Sequence, residues 1–287
     1  DLLVYKPDAL ILVDYGGFNM KIAAFARENG IPVHYYIPPK VWAWNQKRAL
    51  KLKAFTDQIY SILPFEPEFF QKFDMQVHFV GNPLLDEIRK FQAHDFFFQK
   101  NELSYQPIIA LLPGSRQGEV KWHAQLLIDS AIELSKKIRD VKFLVPLPTR
   151  ETYDIFSRAL FKNTDTELDI QLLIGHASDA INAADLVIVA SGTATLETAL
   201  FKKPMVVIYK MSSISWQILK RMRYLPYVSL PNILLNKFFV PELLQKEATP
   251  ENITSKAVEI LKDAPYRKNL LIQFTKIHHQ LKQNTSD

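Results

Sequence analysis

Apolar runs that do not alternate with polar residues recur along this chain, each followed by a segment of helical periodicity. The runs are ALILV (9–13), IPVHYYI (31–37), DQIYSIL (57–63), VHFVG (77–81), IIALLPG (108–114), VKFLVPL (141–147), LDIQLLIG (168–175), ADLVIVAS (184–191) and PMVVIYK (204–210). A strand with one face in water alternates with period two, whereas a strand apolar at consecutive positions is covered on both faces. Helical segments such as NMKIAAFAREN, which stops at Gly30, supply that cover. The pattern predicts an α/β fold of two doubly wound domains with parallel sheets.

The domain boundary is expected near residue 100, where KFQAHDFFFQKNELSYQ (90–106) interrupts the rhythm with a helical stretch of mixed character. The expected domains are residues 1–100, residues 101–265, and a terminal helix over 266–287 of the kind that crosses back to the first domain. At 287 residues the chain is long enough for two such units, since domains run to about 150 residues each. It drops from DLLVYKPD almost directly into a buried-type strand, so the first domain is expected to be incomplete, with an N-terminal piece missing.

Composition narrows the chemistry. Cysteine is absent, which excludes disulfides, thiolate metal sites and cysteine nucleophiles. No apolar run approaches the ~20 residues of a membrane-spanning helix. The formal net charge of +5 favours an anionic partner or simply reflects solvated lysine-rich faces. No RNA-recognition motif or recognition-helix pattern appears, so nucleic acid is not an expected partner. Histidines are scattered and no Asp-x-Asp ends a strand, so no metal site and no cofactor are expected.

In open parallel sheets ligands bind beyond the carboxyl ends of the strands, which makes the residues just after each apolar run the candidates. LLPGSRQGEV places Gly114, Ser115 and Arg116 after a strand and before a helix. Glycine permits a tight turn, the helix start offers free amides, and arginine adds a fork of donors suited to phosphate. An ordinary turn in which Arg116 pairs with Glu119 fits the same residues. VIVASGTATLETAL ends a wholly apolar strand in Ser191, Gly192 and Thr193, an arrangement suited to a diphosphate. Glu197 follows one turn later and suits ribose hydroxyls; the alternative makes Ser191 an N-cap and Glu197 a solvated helix residue. Asp14 ends the first strand and is a candidate general base or a capping residue. His34 fits a packed position within its strand. KVWAWNQKR, with Trp42 and Trp44, and the 210–232 segment, with Trp216, Lys220, Arg221 and Arg223, combine aromatic and basic residues. Such segments suit either a bilayer interface or a core-facing helix with a solvated rim.

HYYIPPKVWAWNQKR, ILPFEPEFF, FVGNPLLD, LLPGSRQGEV, ASGTATLETAL, PMVVIYK, VSLPNILL and VPELLQ occur in this order over nearly the whole chain. Together they resemble the lipid-A-disaccharide synthase family. The resemblance implies a GT-B fold, two Rossmann-like domains facing a cleft, on a protein lying against the inner membrane of a Gram-negative cell. It implies an inverting, metal-independent glycosyltransferase that moves 2,3-diacylglucosamine from UDP to the 6-hydroxyl of 2,3-diacylglucosamine 1-phosphate. The products are the β-1,6 lipid A disaccharide and UDP. By the same resemblance Gly114, Ser115, Arg116, Ser191, Gly192, Thr193 and Glu197 hold UDP, and Asn232, Glu242 and Gln245 complete the donor side. Arg116 stabilises the leaving diphosphate and Asp14 is the base. Trp42, Trp44, Trp216, Lys220, Arg221 and Arg223 face acyl chains or the membrane, and an oligomer is compatible with the family.

The sequence departs from the family pattern at Gly17, where many members carry a second aspartate, and in lacking the family's Gly-Glu-x-Ser-Gly-Asp loop. The chain is therefore expected to be a truncated form of an active enzyme. The alternatives are another GT-B protein handling UDP-GlcNAc, such as the peptidoglycan glycosyltransferase or the 2-epimerase, and a non-catalytic module that binds nucleotide sugars at a membrane.

Overall fold

The computed structural model describes residues 2–44, 46–92, 106–162, 167–222 and 224–282. The side chains of Trp44 and of residues 218–222, Lys220 and Arg221 among them, lie outside the described residues. So do Arg223 and most of the 90–106 stretch that the sequence marks as a boundary. The chain forms two compact units: Asp1–Asp86 with Trp216–Pro226 and His279–Asp287, and Glu87–Ser215 with Tyr227–His278.

The first unit is built on four parallel strands, β1 (Leu10–Val13), β2 (Val33–Tyr36), β3 (Gln58–Ser61) and β4 (His78–Phe79), in that spatial order. Strand order that advances in one direction sends every right-handed crossover to the same side of the sheet. Burial follows suit. Leu12, Val33, Tyr35, Ile59 and Ser61 point into the core, while Ile11 and Val13 on the opposite face are 71% and 54% exposed. On that face His34, Tyr60 and His78 form a row across three strands, with His34 Nδ1 and Tyr60 Oη 3.2 Å apart. Within this unit the expectation of cover on both faces is met on one face only among the described residues, because the strand order never reverses.

In the second unit the order does reverse. Its strands β5 (Ile108–Leu112), β6 (Lys142–Leu147), β7 (Ile170–Ile174), β8 (Leu186–Ala190), β9 (Met205–Tyr209) and β10 (Glu242–Leu244) are parallel and lie in the order β10-β9-β8-β5-β6-β7. The chain starts at the centre, moves out to β7, and returns to the other side of β5. Helices therefore cover both faces, and β5 and β8 are buried at every position, which explains their unbroken apolar sequences. On one face Val120, Leu127 and Leu134 of the helix Gln117–Ser135 pack with Phe156, Ile253, Ala257 and Ile260 against Ile109, Leu111, Phe143, Ile188 and Val206. Full burial is worth roughly 1.5–3 kcal/mol for each large aliphatic or aromatic side chain, so this layer holds the strand ends rigidly.

Candidate functional site

The two turns singled out by sequence follow β5 and β8, the adjacent strands between which the strand order reverses. Such a reversal point is where open α/β sheets bind ligands. Leu112 pairs with Val189, so both strands end nearly level and residues 113–116 lie beside residues 191–193.

The first turn depends on Gly114. Its φ of +113° is a conformation L side chains rarely adopt, and an added Cβ would lie 2.6 Å from Glu119 Oε2 and 2.7 Å from Glu119 Cβ. Glu119 needs that space. Its Oε2 accepts from the Ser115 and Arg116 amides at 3.0 and 3.3 Å, and its Oε1 accepts from Arg116 Nη1 at 2.9 Å. The turn's own carboxylate thus occupies the anion position that the sequence suggests for phosphate. The Arg116 side chain is 82% exposed, and an exposed ion pair of this kind is worth at most ~1 kcal/mol. Its guanidinium can therefore swing to a stronger anion at little cost.

The second turn is built differently. The Ser191 amide continues the strand ladder by donating to the Ile208 carbonyl, and Ser191 Oγ donates to the Val228 carbonyl at 2.8 Å. Ser191 is thus no N-cap: Gly192 holds that position, extended and without a side-chain cap. Gly192 and Thr193 are exposed, and an added Cβ at Gly192 would meet nothing within 4 Å. The first amides of the helix Thr193–Leu200 have no acceptor within the helix. One turn offers open amides and its neighbour an exposed guanidinium.

Glu197, one turn into that helix, is not a solvated residue. Burial raises its pKa; Ser178 Oγ, which donates to Oε1 at 2.7 Å, opposes this, and the charge of Glu87 adds to the rise. Ser178 is the second residue of the helix Ala177–Ala183, which follows Gly175 and His176, both at positive φ, with His176 Nδ1 3.1 Å from Asp179 Oδ2.

Asn232 and Glu242 are buried, and their polar atoms are engaged within the protein. Asn232 donates to the Val240 carbonyl and to Glu242 Oε1, and accepts from the Phe239 and Val240 amides, all at 2.8–3.1 Å. Glu242 also accepts from the Val228 and Ser229 amides and from Ser229 Oγ at 2.6–3.0 Å. Together they brace the 228–232 turn against which Ser191 rests. The Gln245 amide, oriented to satisfy both contacts, donates to the Met211 carbonyl and accepts from its amide at 3.2 and 3.1 Å.

In the first unit Asp14 and Tyr15 stand in consecutive left-handed conformations, φ 46° and 45°, at the end of β1. The Asp14 carbonyl is held by Tyr35 Oη at 2.7 Å and Asn19 Nδ2 at 2.8 Å, and the residue is exposed. Strain of this kind costs about 1–3 kcal/mol per residue and persists only where the surroundings enforce it. An added Cβ at Gly17 would meet nothing within 4 Å, whereas one at Gly16 would meet Pro39 at 2.6 Å.

Trp42, expected at an acyl- or membrane-facing surface, is instead 4% exposed. Its Nε1 donates to Glu66 Oε1 at 2.9 Å and its ring stands edge-on to Phe65. Glu66, 2% exposed, was outside the sequence candidates. Burial pushes its pKa up to about 7, against the lowering influence of Trp42 and the Leu63 amide. Trp216 is half-buried on the helix Ser213–Met222 beside exposed Ile214. Ser178 and Glu66 gave no local signal, because the side chains they meet, Glu197 and Trp42, are distant in sequence. Glu119 was legible from its spacing to Arg116.

Among the described residues, no group of three or more His, Cys, Asp or Glu could hold a metal ion, and no helix is long and apolar enough to cross a membrane.

A family model described as lipid-A-disaccharide synthetase matches residues 1–287. The chain is 41% identical to a lipid-A-disaccharide synthase of Methylobacillus flagellatus over 99% of its own length and 76% of the relative's. It is 38% identical to lipid-A-disaccharide synthase 2 of Legionella pneumophila, over 99% and 74%. Among solved structures it is similar to a UDP-GlcNAc 2-epimerase of Neisseria meningitidis bound to UDP-GlcNAc, with a TM-score of 0.63 at 13% identity, covering 98% of this chain and 77% of that one. It is also similar to MurG of Acinetobacter baumannii, with a TM-score of 0.53 at 16% identity, covering 99% and 72%. At such identities these likenesses speak for the fold, which is of the GT-B class with Rossmann-like parallel sheets.

Proposed function

The chain belongs to the lipid-A-disaccharide synthase family of glycosyltransferases, and from that premise we propose a specific reaction and a role for each candidate residue. The donor is UDP-2,3-diacylglucosamine and the acceptor 2,3-diacylglucosamine 1-phosphate. The acceptor's 6-hydroxyl oxygen attacks the donor's anomeric carbon as the bond to UDP breaks, and its proton passes to a base. Attack opposite the leaving group inverts the anomeric centre and gives the β-1,6 linkage, with no metal required. Identity near 40% over nearly the whole chain favours this reaction over epimerase or peptidoglycan chemistry, where likeness falls to 12–16%.

The observation that carries the donor assignment is the pairing of unlike turns on β5 and β8. Glu119 already fills the amides of the first turn, so the diphosphate rests on the open amides of residues 192–194. Arg116 reaches it from the adjacent turn, leaving Glu119. Charge that develops on the departing UDP then meets a guanidinium already turned onto it when the donor bound, and a helix N-terminus, so neither reorganises at the moment of reaction. Gly114 and Ser115 shape the Arg116 turn, Ser191, Gly192 and Thr193 the other. Glu197, oriented by Ser178, accepts from ribose hydroxyls through its second oxygen. Asn232, Glu242 and Gln245 act by bracing the turns around this site. Asp14 is the base for the acceptor hydroxyl, and the 210–225 segment, whose sequence joins Trp216 to Lys220, Arg221 and Arg223, serves contact with the inner-membrane surface that delivers both lipids.

The test is disaccharide formation from the two lipid substrates in detergent, with and without a chelator, for this chain and for a form extended to its relatives' length. Product formation that resists the chelator and falls about 10²–10³-fold in Arg116→Ala is expected. Wild-type turnover by that variant, or turnover abolished by the chelator, contradicts the proposal.

A further inference from the structure

The helix Gln117–Ser135 carries a histidine with no exposed surface, His123. Its Nδ1 lies 2.7 Å from the Pro113 carbonyl oxygen, and its Nε2 lies 2.9 Å from the Lys210 amide nitrogen. A carbonyl can only accept and an amide N–H can only donate. The two contacts therefore fix the imidazole as neutral, with its proton on Nδ1. No other side chain of ordinary type offers a donor and an acceptor at that spacing on one rigid ring.

What the ring joins matters more than its burial. Pro113 opens the turn that carries Gly114, Ser115 and Arg116. Lys210 opens the turn after β9, whose next residue, Met211, faces the Gln245 amide. β5 and β9 lie on either side of β8, and β8 carries the 191–193 turn. His123 thus ties together the two turns that flank the open amides, while Glu119, one helical turn earlier, holds the Ser115 and Arg116 amides. The groups facing the imidazole are Glu119 with its partner Arg116, the Lys210 ammonium, and the Tyr209 ring at 5.8 Å. Burial is the largest influence and holds the His123 pKa below its ordinary value. The Pro113 carbonyl and Glu119 pull upward and the Lys210 charge adds to the lowering. The Lys210 amide, which needs the Nε2 lone pair, works in the same direction as burial.

We propose that His123 is a positioning residue for diphosphate recognition: as a neutral, Nδ1-protonated imidazole it locks the Arg116 turn to the 210–211 turn and so sets where the guanidinium stands relative to residues 192–194. The inference rests on the donor-site reading above. Protonation gives up the Lys210 contact, so the lock opens as pH falls.

Two substitutions divide the lock. His123→Asn can donate to Pro113 but falls short of Lys210, and His123→Gln can accept from Lys210 but surrenders Pro113. Each is expected to weaken UDP binding about tenfold at pH 7.5, the scale of one lost buried hydrogen bond. Each should also raise donor KM more than it lowers kcat. Hydrogen exchange at the Ser115, Arg116 and Lys210 amides of the ligand-free protein should accelerate by a similar factor. UDP affinity of the wild type should hold level with pH down to the ordinary imidazole value of about 6.5 and fall only below it, relative to both variants, which share UDP's own titration but lack the imidazole. Nitrogen NMR of the wild type at pH 7.5 reports the tautomer without any variant. A charged ring or a proton on Nε2 overturns the inference, as do variants with wild-type exchange and wild-type UDP affinity. Failure of the wild type itself to bind UDP overturns the donor-site reading instead, and exchange and tautomer still decide whether His123 locks the two turns.

Discussion

Replacing Glu66 with glutamine should change how stability depends on pH, and the burial of the carboxyl sets the sign. Glu66 is buried, accepts from Trp42 Nε1 at 2.9 Å and from the Leu63 amide at 3.3 Å, and has its pKa raised by burial from 4.5 to about 7. A folded pKa above the unfolded value means that the native state prefers the protonated carboxyl. Its contribution is fully present below the unfolded value and is lost as pH rises toward 7. A change of that size corresponds to roughly 3 kcal/mol at about 1.4 kcal/mol per pKa unit. The glutamine variant stays neutral and keeps an acceptor for Trp42, but turns its amide nitrogen toward the Leu63 N–H, at a cost of about 1 kcal/mol. At pH 5 the wild type should therefore be equally or slightly more stable. At pH 8.5 the variant should be more stable, the difference having moved by roughly 2–3 kcal/mol. Urea unfolding of both proteins across this range, followed by tryptophan fluorescence, measures the difference and cancels every other titrating group. A difference independent of pH would refute the reasoning, as would a wild type that gains on the variant toward high pH.

Three further substitutions probe the turns. Gly114→Ala forces a side chain into φ +113° and into Glu119; it should cost about 2–3 kcal/mol in thermal or urea unfolding and weaken UDP binding with it. Asn232→Ala leaves the Phe239 and Val240 amides and Glu242 short of a buried partner. It should destabilise by about 3 kcal/mol, and a loss under ~1 kcal/mol would show the brace to be dispensable. Gly17→Asp enters open space in the first turn of the helix Gly16–Glu28 and should leave stability unchanged or gain about 0.5 kcal/mol. With Asp14 as the base, its turnover stays within about threefold of wild type, whereas Asp14→Asn loses turnover and keeps UDP affinity; a large gain in Gly17→Asp would move the base to position 17.

The strands were legible because β5, β6, β8 and β9 are buried on both faces and so have nothing polar to alternate with. The exception is β10, three residues within PELLQ, too short for any periodic signal. Both candidate turns were legible as strand-turn-helix junctions, but the difference between them was not. Whether a helix start is open or already filled depends on one side chain, and in the 114–119 turn Glu119 fills it. Asn232 and Glu242 were singled out by motif, yet their partners Val228, Ser229 and Val240 meet them only through a tertiary turn. Trp42 shows the limit most directly. Beside Lys40 and Arg48 a tryptophan suits an interface, and only the carboxylate of Glu66, 24 residues on, draws it inside.

The most direct test of the donor-site account is the structure of this chain with UDP bound. It predicts diphosphate oxygens within hydrogen-bonding distance of the amides of residues 192–194, the Arg116 guanidinium turned from Glu119 onto them, and Glu119 still holding the Ser115 and Arg116 amides. A diphosphate seated on the Ser115 and Arg116 amides with Glu119 displaced, or bound elsewhere with Arg116 still paired to Glu119, would contradict it.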